Sequence, residues 1–177
     1  TNLFVGPGAG NLGTSGYGKN TGVGSQALAA NTTGYGNSAF GGGALRVNTS
    51  GNRNSPFGRS ALYSNTSGGF NSAFGQATLE SNTVGSYNSA FGEAALRFNT
   101  SGHDNSAFGH YALRANTTGF HNSAFGEDAL IANTSGAYNS AFGKDALRTN
   151  TTSNSNSAFG YAALRANTGT SNSAFGS

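Results

Sequence analysis

A segment reading Asn-Ser-Ala-Phe-Gly returns every 17 residues, and this period constrains the fold more than any other feature of the chain. Copies begin at Asn37, Asn54, Asn71, Asn88, Asn105, Asn122, Asn139 and Asn156, and another begins at Asn172 after 16 residues. The unit is N-S-A-F-G-x-x-A-L-x-x-N-T-[ST]-G-x-x, numbered here 1 to 17 from its first Asn. Asn20-Thr21-Gly22-Val23-Gly24 keeps the register one period upstream. Asn2-Leu3-Phe4-Val5-Gly6 is a weaker copy 18 residues before that. Self-similarity at a short fixed period marks a repeat architecture, in which each unit buries its apolar groups only against its neighbours. We expect one repeat domain over residues 1–177, with degenerate N-terminal coils over 1–36, regular coils over 37–177, and about ten coils in all. Both ends fall inside copies of the repeat, so we expect a segment of a longer fibre.

The unit is too short for a helical-hairpin repeat, which needs about 33 residues or more. A continuous helix is disfavoured because Gly recurs at positions 5 and 15, at about 1 kcal/mol each relative to Ala. The Ala-Leu-Arg stretches are locally helix-compatible but only four or five residues long. Short strands joined by Gly or Asn turns fit better. The expected fold is all-β: a parallel β-solenoid, or β-roll, with two strands per coil. Coils stacked about 4.8 Å apart give a rod roughly 50 Å long.

Stacking turns each position into a column along the rod. Position 4 supplies Phe40, Phe57, Phe74, Phe91, Phe108, Phe125, Phe142, Phe159 and Phe175. Position 9 supplies Leu28, Leu45, Leu62, Leu79, Leu96, Leu113, Leu130, Leu147 and Leu164. These two columns are the expected interior. Ala at positions 3 and 8 is expected to face a close neighbour, and the glycines to turn the chain. Position 12 is an unbroken Asn column: Asn31, Asn48, Asn65, Asn82, Asn99, Asn116, Asn133, Asn150 and Asn167. Stacked Asn amides hydrogen-bond along cross-β stacks, and Asn tolerates left-handed corners. Thr follows at position 13: Thr32, Thr49, Thr66, Thr83, Thr100, Thr117, Thr134, Thr151 and Thr168. Pro56 replaces Ala at position 3; proline cannot donate to a ladder, so that N–H is expected to be dispensable. One Phe, one Leu and two Ala per unit make a thin core, which points to several rolls associating along an Ala-rich face.

The unit G-x-x-N-S-A-F-G-x-x-A-L resembles the head repeat of trimeric autotransporter adhesins. That family has a shorter unit, S-V-A-I-G-x-x-A-x-A-x-G, in a left-handed parallel β-roll of three chains. Here Phe stands for the usual Ile and Ser for the usual Val, and the second strand carries an extra N-T-[ST]. The longer pattern A-L-x-x-N-T-[ST]-G-x-x-N-[ST]-A also resembles repeat shafts of phage tail-fibre-like and bacterial surface-fibre proteins. The resemblance covers nearly the whole chain. It implies a left-handed homotrimeric rod on a cell or virion surface. Such a rod spaces or displays a tip that binds a host glycan or other receptor through parts outside this sequence.

Catalytic and ligand-binding patterns are sparse. Without cysteine, neither disulfides nor thiolate metal sites can form. Charged residues make up 8%, with a formal net charge of +3, too weak and scattered to argue for nucleic acid. No apolar stretch is long enough to span a bilayer, so membrane insertion is not expected. His103 and His121 fall at neighbouring corners of adjacent coils with Asp104 nearby. No regular ligand set accompanies them, so they read as exposed variable corners and no metal is expected. Glu80, Glu93, Asp104, Glu127, Asp128 and Asp145 form no repeated pair, and the Asp-bearing calcium repeat G-G-x-G-x-D is missing. Gly6, Gly8 and Gly10 sit in no strand–loop–helix unit, which sets a phosphate loop aside. Arg46, Arg97, Arg114, Arg148 and Arg165 share position 10 and read as a solvated edge that discourages sideways aggregation. Seven of the nine position-12 Asn residues begin N-T-[ST], a glycosylation pattern that reads as a by-product of the ladder. Tyr63, Phe70, Tyr87, Tyr111, Phe120, Tyr138 and Tyr161 occupy variable outer positions suited to weak sugar contact.

Two function classes follow. The first is a non-enzymatic structural or adhesive fibre segment without a cofactor. The second is an ice-binding solenoid that uses the Asn48/Thr49, Asn65/Thr66, Asn82/Thr83, Asn99/Thr100, Asn116/Thr117, Asn133/Thr134 and Asn150/Thr151 ladder as a flat uncharged face. Adjacent side chains on a regular strand point to opposite faces, which counts against the second.

Overall fold

The computed structural model describes residues 1–10 and 18–176. Eleven three-residue strands stack in chain order into one parallel sheet. They are β1 (Leu3–Val5), β2 (Thr21–Val23), β3 (Ser38–Phe40), β4 (Ser55–Phe57), β5 (Ser72–Phe74), β6 (Ser89–Phe91), β7 (Ser106–Phe108), β8 (Ser123–Phe125), β9 (Ser140–Phe142), β10 (Ser157–Phe159) and β11 (Ser173–Phe175). Like residues pair with like, as in Ser72↔Ser89, Ala73↔Ala90 and Phe74↔Phe91. The fold is therefore a β-solenoid of about ten turns. Leu3↔Thr21 pairing places the weak first copy in register despite its 18-residue spacing.

Each described coil has one strand where two were expected. The Ala-Leu side is built from turns. Ala44 N donates to Gly41 O at 3.2 Å, Arg46 N to Gly43 O at 3.3 Å and Asn48 N to Leu45 O at 3.3 Å. The first two of these turns carry positive φ at their third residue, as type II turns do: Gly43 at 70° and Leu45 at 51°. Each regular coil thus takes left-handed backbone at positions 7, 9 and 17; position 9 is a leucine with φ between 49° and 56°, and the expected Asn corner is not used. A leucine is tolerated there because its neighbours over-determine the backbone. Leu45 N reaches Ala61 O of the next coil at 3.1 Å, and the side chain is fully buried.

The interior differs from expectation. Leu28 through Leu147 are completely enclosed, and Leu164 is partly buried at the end of the stack. The Ala columns at positions 3 and 8 are also enclosed, inside their own coils, so among the described residues they present no Ala-rich outer face. The Phe column is not interior. Side chains alternate along a strand, so with Ala39 pointing in, Ser38 and Phe40 both point out. Phe40 is half-buried and Phe57 reaches 36% exposure.

The rest of the core is polar. The position-1 Asn residues from Asn20 to Asn156 are buried, as are the position-12 Asn residues from Asn31 to Asn150. Between the two columns runs the position-15 glycine. Its φ is not positive; a Cβ on Gly51 would strike the Asn48 carboxamide oxygen and the Gly68 carbonyl. Space, and not turn geometry, favours glycine there; Ser153 takes the position beside the shortened last coil, where its carbonyl still accepts from Asn139 and Asn150. Pro56 has a visible cost: β3 meets β4 only through Phe40↔Phe57, although the stack continues through it. At the N-terminal end Phe4 takes the inward position 3, while Gly10 stands where later coils have Leu. The ring packs against the core and fills the end of the stack.

Candidate interaction surface

Three sets of columns carry the groups available for function. The first is the outer face of the sheet. None of the eleven strands contains a charged residue. Nine phenyl rings, from Phe40 to Phe175, stack at 4.6–5.1 Å between centroids with their planes within 4–8°. This separation lies in the favourable range for aromatic pairs. The Ser column at position 2 runs beside them, half-buried along most of the rod. The result is a flat, uncharged, half-apolar stripe. The nine basic and six acidic side chains all lie at positions 6, 7, 10 and 17.

The second set is the Asn/Thr ladder, whose Asn amides face inward while its Thr side chains lie at the surface. Asn48 Nδ2 donates to Asn31 Oδ1 at 2.7 Å and to Gly51 O at 3.0 Å. The pattern continues to Asn150 with amide-to-amide distances of 2.7–3.0 Å. A second ladder, at position 1, was not foreseen. Asn37 Nδ2 donates to Asn20 Oδ1 at 3.2 Å and to Gly51 O at 2.9 Å. The invariance of Asn at the head of every unit was its signal in the sequence. Each interior glycine carbonyl so receives an amide from both sides. Thr hydroxyls are used in the same manner: Thr49 Oγ1 donates to Thr66 O at 3.0 Å, and the column repeats this at 2.9–3.1 Å. The Thr side chains are exposed or half-buried, but the Asn side chains from Asn31 to Asn150 are fully enclosed. These Asn amides are therefore closed to glycosylation in the folded coil.

The third set is the variable outer edge. Arg97 pairs with Glu80 at 2.7 Å, and Arg148 with Asp145 at 3.0 Å. Arg114 lies over Tyr111 at 4.9 Å and over Phe98 at 5.2 Å. Arg46 donates to the Tyr63 hydroxyl and lies over its ring at 5.4 Å, so four of the five position-10 arginines are engaged with neighbours across or within coils. Lys144 Nζ donates to Glu127 Oε2 at 2.9 Å. This bond holds the Glu127 carboxyl below, and the Lys144 ammonium above, their ordinary values. Phe70, Tyr87, Tyr138 and Tyr161 are exposed, and Phe70 stacks on Tyr87 at 4.9 Å. At the corner predicted to be merely variable, His103 Nδ1 and Asp104 Oδ2 are 2.8 Å apart, with His121 adjacent. Among the described residues no helix is long and apolar enough to cross a membrane. Comparison with protein-family models, curated proteins and solved structures finds no match.

Proposed function

We propose that the chain is a non-enzymatic rod: a segment of a trimeric surface fibre or tail-fibre-like adhesin that spaces or displays a host-binding tip outside the cell or virion. The observation carrying this reading is the uncharged Ser/Phe stripe. A half-exposed ring column running the length of the sheet is an apolar surface of the kind that marks an interaction site. The occupant best matched to it is another copy of the same chain. Only a partner with the same axial repeat of about 4.8 Å stays in register with the rings over many coils. Three strand positions and one flanking column on each side, over about 50 Å, present roughly 800 Å² per chain. That is about what each partner of a stable interface contributes. Length therefore sets affinity, as a fibre segment requires. The resemblance of the repeat to adhesin heads supports three chains.

The test is the mass of the folded chain by light scattering on a sizing column, for the wild type and for Phe91→Lys with Phe108→Lys. A wild-type trimer and a folded monomeric variant support the reading. A monomeric wild type at tens of micromolar overturns it, and a trimeric variant moves the contact to another face. Ice binding has less support, because the Asn column is enclosed and the Thr hydroxyls donate to the chain's own carbonyls. Thermal hysteresis in a monomeric wild type would reverse that order.

A further inference from the structure

We propose that His103, Asp104 and His121 bind a divalent transition-metal ion of the zinc class at the edge of two adjacent coils. The chain has three histidines, and two of them meet here beside a carboxylate. One donor atom from each of the three residues lies within 4.8 Å of the others. Ligands about 2.1 Å from a tetrahedral ion stand about 3.4 Å apart, so closure needs little more than rotation of exposed side chains. The backbone is already placed. Asp104 and His121 occupy position 17 of successive coils, both at φ 54°. Asp104 N donates to Ser86 O at 3.1 Å, and His121 N to His103 O at 3.2 Å.

Aromatic neighbours flank both imidazoles. His103 stacks on Phe120 with centroids 5.1 Å apart, and His121 on Tyr138 at 5.1 Å. His103 and His121 meet edge to face at 5.6 Å. Two imidazoles and one carboxylate form a donor set suited to zinc, copper(II) or nickel and poorly suited to calcium or magnesium. Three protein ligands leave a further position open for water or an outside ligand. A bound ion links the coil ending at Asp104 to the coil ending at His121, and stabilises the rod at that height.

The test is titration of the whole chain with Zn²⁺ by calorimetry and with Co²⁺ by visible absorption, at pH 7.5. We expect one site per chain, with ligand-field bands from Co²⁺. His103→Ala and His121→Ala should each weaken binding at least tenfold, with circular dichroism unchanged. His110→Ala, which removes the remote histidine, should leave binding unaltered. No saturable binding up to 100 µM Zn²⁺ overturns the proposal, and so does equal loss in His110→Ala.

Discussion

Two columns of this rod invert the usual arrangement of a fold. Position 12 is polar, invariant in nine copies and sealed inside from Asn31 to Asn150; position 4 is apolar, as regular, and half open to solvent. The Asn column is tolerated because each amide finds the same amide one coil away and a glycine carbonyl beside it. A buried polar group costs little when its hydrogen bonds are supplied. The Phe column needs no enclosure to be ordered, because each ring covers the faces of its two neighbours. Repetition thus solves two different problems, satisfying the inside and ordering the outside. The inside specifies the coil, and the outside carries an ordered apolar stripe.

Substitutions in the middle of the rod sharpen this contrast. The largest effect belongs to Gly102→Ala, whose new Cβ would strike the Asn99 carboxamide and the Gly119 backbone carbonyl. Neither can retreat without breaking both ladders. We expect a loss above about 4 kcal/mol in urea unfolding, in the range reserved for buried clashes and broken networks. Next comes the direct comparison of the two columns. Asn99→Ala strands the Asn82 carboxamide oxygen and removes one acceptor of the Asn116 amide. Two such losses at about 1–3 kcal/mol each give about 2–6 kcal/mol. Phe91→Ser removes two ring pairs worth about 0.5–1.5 kcal/mol each. Its cost to the isolated fold should stay near the low end, because the ring is half exposed. A larger loss from Phe91→Ser than from Asn99→Ala, measured on a monomeric background, breaks the contrast.

The smallest effect is expected at the outer edge. The Glu127 pair contributes above the ordinary carboxylate value of 4.5 and is lost as pH falls through its lowered pKa. The Lys144 partner contributes below its ordinary 10.5 and is lost as pH rises through its raised pKa. The pair is therefore intact at every pH between those two ordinary values. Both groups are exposed and screened by salt. Lys144→Ala should shift Tm by less than about 1 °C at neutral pH, and a larger, salt-independent shift would give this edge a structural role.

Much of the fold was legible before any coordinates. The period, the parallel stacking, the Leu and Asn ladders and the weak coils beginning at Asn2 and Asn20 all followed from spacing, because a solenoid converts sequence period directly into neighbour relations. The side of each column was less legible. Phe was assigned to the interior by hydrophobicity, although alternation within Ser-Ala-Phe puts it opposite the Ala that faces the Leu. The corners are less legible for a related reason: local preference favours Asn or Gly at positive φ, and here Leu at position 9 and varied residues at positions 7 and 17 take it as well as the position-5 Gly. The His103–Asp104–His121 cluster was visible as neighbouring corners, but whether its donors converge depended on rotamers and ring stacking.

By itself, the sequence determined that this chain repeats, that its coils stack in register, and which residues share a column, since those follow from a fixed period. Only the tertiary structure decided which columns face in. The regular coils enclose two Ala, one Leu and two Asn around the position-15 Gly, and leave the phenyl ring outside. Alternation about the Ala of each strand, which the structure turns toward the Leu, put the largest apolar side chain outward and made it a surface.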